Sequence, residues 1–388
     1  MKLTDEQVAI KRMVADFARN ELADNAFKPE TEEQYRGRLK KLAAQGLLGM
    51  TAPVEYGGGG LSYFDALLAV EEMARYDPRS AGEMHTNGTG TASHLWVLGT
   101  PEQQERWLRP ICEGRMRCAI AMTEPEAGSA ATEMTTTATL SPDGREYCLS
   151  GGKIFISGGK RADVFITYAR FPTEGGDADK GGRNIGALVV EKDTPGFSIL
   201  RNDHNMADED QAQLAFDDCR VPKENVLVTG NAFGRLIRIY NRNRLSGVAQ
   251  ALGMATASYE DALRHLQVRR QFGRELADFQ GLQWMLADMA IQLNACRATL
   301  YQAATAEQDG ELDPLQVSMA KVFIAETCVR VCDMAIQLFG GYGYMAEAPV
   351  NQRYRRVRGT AIYGGTMQIH RNMIAARVLG RRNDQRRA

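Results

Sequence analysis

Two glycine-rich runs near the C-terminal end carry the most information in this sequence: Gln337-Leu338-Phe339-Gly340-Gly341-Tyr342-Gly343-Tyr344 and Ile362-Tyr363-Gly364-Gly365-Thr366-Met367-Gln368-Ile369-His370-Arg371. Each borders a segment with helical periodicity, residues 315–339 and 366–379. Glycines in such places either end a helix or let the backbone approach a ligand closely. Two further segments, 232–268 and 277–309, have the same periodicity. Helices this long, apolar around much of their circumference, predict a bundle that also packs against other subunits.

The pattern changes to short β-prone segments between about Ala119 and Val228. Turn clusters such as Ser141-Pro142-Asp143-Gly144 separate these segments. We therefore expect a small antiparallel β domain, with the Gly- and Asp-rich segment Thr173–Arg183 as a surface loop. The predicted strands are Tyr147–Leu149, Lys153–Ser157, Val164–Ala169, Ile185–Val190, Phe197–Leu200 and Gln213–Phe216.

The N-terminal part of the chain is predicted to be helical. Thr4 and Gln7 form a capping box, and Thr100-Pro101-Glu102-Gln103 is a second helix start with proline at the first helical position. The glycine-rich segment Tyr56–Gly60 does not follow a strand and lacks the dinucleotide-binding spacing, so we interpret it as a loop. The order of the elements predicts an α+β fold with a helical domain at 1–118, a β domain at 119–228 and a helical domain at 229–388.

Composition narrows the class of protein. Lys plus Arg is 47 and Asp plus Glu is 48, a balance that argues against a general nucleic-acid or membrane-surface binder. The seven cysteines are scattered and odd in number, which is typical of a reduced cytoplasmic protein. Cys328 and Cys332 lie one helical turn apart, but no further ligand stands at metal-binding spacing, so we expect buried side chains and no metal site. No signal peptide or membrane span is predicted.

Further motifs lie upstream of the two C-terminal runs. They are Glu55-Tyr56-Gly57-Gly58, Met122-Thr123-Glu124-Pro125-Glu126-Ala127-Gly128-Ser129, Phe216-Asp217-Asp218-Cys219-Arg220-Val221-Pro222, Arg269-Arg270-Gln271-Phe272-Gly273 and the segment Arg353–Arg358. Together, and in this order, the motifs resemble the acyl-CoA dehydrogenase family nearly from end to end. The resemblance implies an N-terminal helical domain, a middle antiparallel β domain and a C-terminal four-helix bundle, assembled as a homotetramer or homodimer. It also implies FAD as cofactor, α,β-dehydrogenation of an acyl-CoA thioester, and electron-transfer flavoprotein as a partner.

The resemblance also assigns expected roles to individual residues. The hydroxyl and amide groups among them can donate hydrogen bonds to a flavin, and an arginine matches a pyrophosphate in charge and geometry. The expected FAD-binding residues are Met122, Thr123, Ser129, Phe155, Ser157, Arg269, Phe272, Gln337, Gly341, Thr366 and Gln368. The expected substrate-binding residues are Ser129, Tyr240, Asn243, Arg244, Tyr363 and Gly364.

The catalytic base of the family is missing from both of its usual positions. Dehydrogenation removes a proton next to the thioester carbonyl, and a carboxylate suits that transfer. The resemblance places this glutamate at Gly364 or, in a second branch, at Asn243. Neither residue can accept the proton, so the catalytic residues remain unknown.

Three explanations stay open. In the first, another residue is the base, with His85 as a candidate because histidine titrates in a suitable range; the alternative is a surface or helix-end histidine. In the second, the enzyme is redox-neutral, since Ser129–Thr136 and Phe279–Met285 are similar to 3-sulfinopropionyl-CoA desulfinases, which also lack the glutamate. Those enzymes rely on an arginine in the region of residues 79–85, and Arg79 lies there but out of register. In the third, the chain is a catalytically silent flavoprotein subunit paired with an active homologue, or a carrier-protein binder.

Overall fold

A computed structural model describes residues 2–172, 184–308 and 311–381, so the loop predicted at Thr173–Arg183 lies outside the described residues. The chain divides into two units. One consists of Met1–Glu30, Ser62–Gly82 and Arg244–Ala388, and the other of Thr31–Leu61 and Glu83–Asn243. We call them the helical unit and the sheet unit.

The sheet unit is built on eight strands. Their order in the sheet is β6-β7-β3-β2-β4-β5-β8, with β1 paired to β4. Most neighbours are antiparallel, but β1 and β2 both run parallel to β4. The purely antiparallel domain that the sequence predicts is thus wrong in this respect, because alternation of apolar residues carries no information about strand direction. The strands are β1 (Cys118–Ala121), β2 (Thr137–Leu140), β3 (Glu146–Ser157), β4 (Val164–Arg170), β5 (Ile185–Glu191), β6 (Phe197–His204), β7 (Asp210–Pro222) and β8 (Val226–Val228).

Strand β3 joins two predicted strands into one. Gly151 and Gly152 look like a break in the sequence, yet both pair with β7. A Cβ at Gly151 would lie 2.7 Å from the Thr136 hydroxyl oxygen, so close packing against the neighbouring segment requires glycine here. The buried core of this unit covers both faces of β4, with Trp107 and Ile166 in one cluster and Phe165 and Leu188 in the other.

Among the described residues, seven α-helices belong wholly to the helical unit, and the first of them begins as the sequence predicts. Thr4 caps the first helix through the predicted box with Gln7. Asp313 caps another, with Pro314 at its first position. The helices are α1 (Asp5–Glu21), α3 (Tyr63–Tyr76), α9 (Gln280–Thr305), α10 (Pro314–Phe339), α11 (Gly341–Tyr344), α12 (Pro349–Gly359) and α13 (Met367–Val378).

Helix α8 (Phe233–Val268) belongs to both units, since its first part lies in the sheet unit and the part from Arg244 onward in the helical unit. In the helical unit, α10 packs against α9, α12 and α13, and α1 packs against α3. The predicted helix at 277–309 ends earlier, at Thr305, before a short two-stranded hairpin. Helix α12 was not predicted, because its arginine-rich sequence shows little apolar periodicity.

The remaining helices belong to the sheet unit, apart from α4, which spans the boundary after Gly82. The predicted capping box at Thr100 is confirmed, and the predicted loop at Tyr56–Gly60 contains a short 3₁₀ turn. Fold class α+β is confirmed. These helices are α2 (Glu32–Ala44), α4 (Pro78–Glu83), the π-helical segment Met84–Thr89, α5 (Ser93–Leu98), α6 (Pro101–Gln103), the π-helical segment Gln104–Leu108 and α7 (Arg109–Cys112).

Candidate active site

A tight turn at Tyr363–Thr366 organises the candidate site in the helical unit. Gly364 and Gly365 have φ angles of 72° and 95°, a left-handed conformation that costs a side-chain-bearing residue about 1–2 kcal/mol. Thr366 then caps α13, its hydroxyl accepting a hydrogen bond from the Ile369 amide at 3.3 Å. The turn therefore presents the Gly364 carbonyl to neighbouring side chains at a defined place.

Two basic side chains hold the Gly364 carbonyl. The Arg244 Nε donates to it at 3.0 Å, and the His370 Nε2 lies 3.1 Å from the same oxygen. Burial and then the charge of Arg244 lower the pKa of His370 to about 3, so this imidazole stays neutral near pH 7 and donates through Nε2. Three predicted substrate-binding residues, Arg244, Tyr363 and Gly364, are thus brought together.

Lys321 is a member of this group that sequence reasoning missed. Its side chain is fully buried on α10, and its Nζ lies 4.6 Å from the centroid of the Tyr363 ring. The same atom lies 3.7 Å from the point that a Cβ at Gly364 would occupy. Within the described part of the chain, this amine has no hydrogen-bond partner. Burial and then the charge of Arg244 lower the pKa of Lys321 to about 7.

A second group, in the sheet unit, contains the other predicted base position. The side-chain amide of Asn243 donates to the Thr91 hydroxyl at 3.1 Å and borders Gly90. The Gly90 amide in turn donates to the His85 carbonyl at 2.8 Å. His85 lies half-buried in the π-helical segment, so the structure brings His85 and Asn243 to the same turn. Tyr240 precedes Asn243 by three residues on α8 and is half-buried.

Arg79 has structural partners in the helical unit. Its guanidinium donates to the Lys28 carbonyl at 2.7 Å and lies 3.6 Å from carboxylates of both Glu30 and Asp77. These contacts hold the Arg79 side chain against other residues of its own unit. They give no support to a role for Arg79 in binding a substrate.

Two predicted flavin-binding residues of the sheet unit, Met122 and Thr123, lie beside a buried ion pair. Lys153 donates to Glu124 at 2.8 Å and to the Met122 carbonyl at 3.1 Å. The Ile154 amide donates to the Thr123 carbonyl at 2.9 Å, which holds the segment after β1 against β3. The register of β3 against β7 shifts between Lys153 and Ile156, at a β-bulge.

The bulge places Phe155 in an unusual position. This aromatic residue has a φ of 56° and is 67% exposed. Two residues on, the Ser157 hydroxyl donates to the Gln211 side-chain oxygen at 3.2 Å. Phe155 thus directly follows the residue that hydrogen-bonds Thr123, whereas Ser129 lies in an exposed loop of the same unit. A positive φ is costly for a bulky side chain, so the bulge holds Phe155 in its exposed position at the expense of backbone strain.

The remaining predicted FAD-binding residues lie in the helical unit. The Arg269 guanidinium carbon lies 5.5 Å from the centroid of the Tyr342 ring, beside the glycine-rich run. Phe272 is 93% exposed with a φ of 51°, and a Cβ at Gly341 would meet no atom within 4 Å. Gln337 is also exposed, and its carbonyl accepts from the Gly340 amide at 3.0 Å. Arg269, Gln337 and Gly341 therefore surround the end of α10, and Phe272 projects into solvent.

Thr366 and Gln368 line an open cleft in the helical unit. Its two arginines, one hydroxyl and one side-chain amide are donors of the kind that bind phosphate oxygens, and one glutamate shares the lining. Among the described residues no cluster of His, Cys, Asp or Glu suits a metal ion, and no helix there is both long and apolar enough to cross a bilayer. Both Cys328 and Cys332 are buried. The cleft is lined by Glu326, Val329, Arg330, Arg358, Ala361, Ile362, Thr366, Met367 and Gln368.

Comparison with known proteins gives the family. Three family models match the chain: "Acyl-CoA dehydrogenase, N-terminal domain" over residues 4–115, "middle domain" over 119–219 and "C-terminal domain" over 233–379. The chain is 34% identical to the solved structure of butyryl-CoA dehydrogenase from Megasphaera elsdenii, with a TM-score of 0.89, covering 98% of this chain and 99% of that one.

Two curated relatives cover the chain equally well. A 3-sulfinopropanoyl-CoA desulfinase from Paraburkholderia xenovorans is 35% identical over 100% of this chain and 99% of its own length. The caffeyl-CoA reductase-Etf complex subunit CarC from Acetobacterium woodii is 33% identical over 98% of this chain and all of its own length. Members of the matched family are FAD-binding flavoproteins. The chain belongs to the acyl-CoA dehydrogenase family, as its motifs predict.

Proposed function

We propose that this protein is an FAD-dependent oxidoreductase that dehydrogenates an acyl-CoA thioester between its α and β carbons. The observation that carries the proposal is the anchoring of the Tyr363–Thr366 turn by Arg244, in a chain of this family. This contact joins two expected substrate-binding positions in one unit. Arg244 adds a permanent positive charge beside the turn, which suits a thioester carbonyl or a CoA phosphate.

The residues present fit FAD, which supplies the hydride acceptor when bound. Phe155 is an exposed aromatic ring between Ile154, whose amide donates to the Thr123 carbonyl, and Ser157, which carries a hydroxyl; an exposed aromatic with polar residues nearby in the chain suits a planar ring with polar edges. In the helical unit, Thr366 and Gln368 share a cleft with Arg330 and Arg358, which suits phosphate groups. We assign the ADP part of FAD to Arg269, Phe272, Gln337 and Gly341, which the resemblance places in a neighbouring subunit's site.

A second candidate function is redox-neutral chemistry, such as release of sulfite from a 3-sulfinopropionyl-CoA. One specific observation favours it: the surroundings of Gly364 are basic, with Arg244, Lys321 and His370 near a position that lacks an acid. The 3-sulfinopropanoyl-CoA desulfinase relative supports the same direction. The third reading, a silent flavoprotein subunit, rests on the absence of a carboxylate at Gly364 and Asn243.

An anaerobic titration of the FAD-loaded protein separates these functions. Lasting loss of the flavin absorbance on addition of butyryl-CoA or succinyl-CoA supports dehydrogenation. Turnover of 3-sulfinopropionyl-CoA to sulfite without lasting bleaching supports the redox-neutral function. If the protein binds butyryl-CoA, succinyl-CoA and 3-sulfinopropionyl-CoA but its flavin responds to none of them and no sulfite forms, the result supports the silent subunit and contradicts the first two functions.

The partners and assembly are further proposals. Electron-transfer flavoprotein as electron acceptor is supported by the Etf complex subunit among the relatives. A homotetramer or homodimer is supported by exposed apolar side chains such as Trp284 and Ile291 on α9 and Phe323 on α10. A cytoplasmic location is supported by the seven free cysteines. We keep the domain boundaries at 118/119 and 228/229. Light scattering of the purified protein tests the assembly, since a monomer would refute it.

A further inference from the structure

The amine of Lys321 is a buried basic group for which neither the fold nor the proposed dehydrogenation provides a partner. It is fully buried, and it has no hydrogen-bond partner in the part of the chain that the structure describes. Its neighbours are the Tyr363 ring on the turn, Arg244 on α8 and, across the Gly364 carbonyl, His370 on α13. A buried lysine without an acid is costly when charged, which is why its pKa is lowered to about 7.

Gly364 leaves room beside this amine. A Cβ built on Gly364 would meet nothing closer than 3.7 Å, and the two nearest atoms would be the Arg244 Cγ and the Lys321 Nζ. A ligand atom in that position would touch the end of a flexible lysine side chain. A small rotation of that chain would bring Nζ into hydrogen-bond distance.

The charges around Lys321 favour binding of an anion over acceptance of a proton from a substrate. If Lys321 accepted a proton from a substrate, a second cation would form beside the permanent charge of Arg244, which repels it. If an anionic group bound there instead, it would attract both cations and satisfy the unpaired amine. The glycine at 364 also removes the carboxylate that would repel such a group.

We propose that Lys321, with Arg244, binds an anionic substituent on the acyl chain, a carboxylate or a sulfinate. The inference rests on the proposed function in that the ligand is an acyl-CoA, and it adds the chemical class of the acyl group. Lys321 takes up a proton when the anion binds, because the paired amine is charged whereas the unpaired one near pH 8 is neutral. His370 stays neutral and Arg244 stays charged over this range, so neither contributes to the proton uptake.

Isothermal titration calorimetry of the FAD-loaded protein in buffers of different ionisation enthalpy tests the proposal. The probes are succinyl-CoA and butyryl-CoA, which have the same chain length and differ in charge. We expect succinyl-CoA to bind at least tenfold more tightly and to take up about 0.9 proton at pH 8 but only about 0.1 at pH 6, as a pKa of about 7 requires. Butyryl-CoA should show neither effect. A 3-sulfinopropionyl-CoA arm shows whether sulfinate binds like carboxylate.

Two variants complete the design. Lys321→Met should weaken succinyl-CoA at least tenfold, leave butyryl-CoA unchanged and abolish proton uptake. Lys321→Arg keeps the charge at all pH values, so it should retain the preference for succinyl-CoA without proton uptake. FAD content and circular dichroism establish that each variant is folded. Proton uptake is also measured on the wild-type protein, so the proposal can be tested even if a variant does not fold.

The other outcomes overturn the inference in distinguishable ways. Equal binding of the two thioesters without proton uptake refutes the anion site and leaves the proposed function standing. No binding of either thioester refutes both. If Lys321→Met stops exchange of the butyryl-CoA α-protons with deuterated solvent while both affinities stay unchanged, the amine is a proton acceptor and the anion site is refuted.

Discussion

Replacing Gly364 by glutamate tests the geometry of the turn most directly. The φ of 72° costs a side chain about 1–2 kcal/mol. The nearest atoms to the new Cβ lie at 3.7 Å, so no clash is added. A carboxylate about 4 Å from the Lys321 ammonium would gain about 4 kcal/mol at an effective dielectric constant of about 20. Most of that gain is lost to desolvation of the new charge. We therefore expect the free energy of unfolding to fall by less than about 2 kcal/mol.

The adjacent glycine provides a matched control. A Cβ at Gly365 would lie 3.1 Å from the His370 Nε2, and its φ of 95° is further from the left-handed minimum. Gly365→Glu should therefore lose about 3 kcal/mol, from strain and crowding together. Urea unfolding of both variants gives the comparison. Anaerobic titration with butyryl-CoA then shows whether Gly364→Glu gains or accelerates flavin bleaching.

A double-mutant cycle isolates the contact with Lys321. Combining Gly364→Glu with Lys321→Met should reveal a coupling energy of about 1–3 kcal/mol between the two positions. A coupling near zero would show that the amine does not face the side chain at position 364. Equal destabilisation by Gly364→Glu and Gly365→Glu would refute the packing argument.

Four further predictions concern the sheet unit. Lys153→Met should lower the free energy of unfolding by about 3–5 kcal/mol in urea, because it leaves the buried Glu124 carboxylate without its cation; a smaller loss in the Lys153→Met/Glu124→Gln double variant is the check. Burial alone would raise the pKa of Glu124, but Lys153 and several hydrogen bonds outweigh burial and lower that pKa to about 2. The stabilisation by the ionised Glu124 should therefore be present above about pH 4.5 and disappear as the pH falls towards 2. Glu124→Gln should remove this pH dependence. Burial lowers the pKa of His94 to about 4, so the unfolded chain binds a proton that the folded one does not; stability should fall between about pH 6.5 and 4, and an unchanged slope in His94→Gln would contradict this. Phe155→Asn should change the free energy of unfolding by no more than about 0.5 kcal/mol and should reduce the FAD content. Leu200→Asn, at another exposed apolar residue of this unit, should leave the FAD content unchanged. Equal FAD content in both variants would remove Phe155 from the flavin site.

The long helices were predictable because their signals are local. The segment predicted at 232–268 is observed as Phe233–Val268, and the capping boxes at Thr4 and Thr100 are formed as expected. Capping and apolar periodicity act over a few residues, so they can be read without knowledge of the fold. The motifs that identify the family are equally local.

Strand pairing and the buried charges were decided by tertiary structure. Gly151 and Gly152 look like a break until Thr136 is packed against them, and the direction of β1 and β2 depends on their partner β4. The basic side chains around Gly364 had one signal in the sequence, which was the lysine at 321 within a largely apolar helical segment.

By itself, the sequence determined where the longest helices lie, the family and the absence of an acid at Gly364 and Asn243. Only the tertiary structure could place Lys321 beside Gly364, since 43 residues of chain separate the two positions and no local pattern links them. Burial and the neighbouring charge of Arg244, which set the protonation of that amine, are properties of the packed helices.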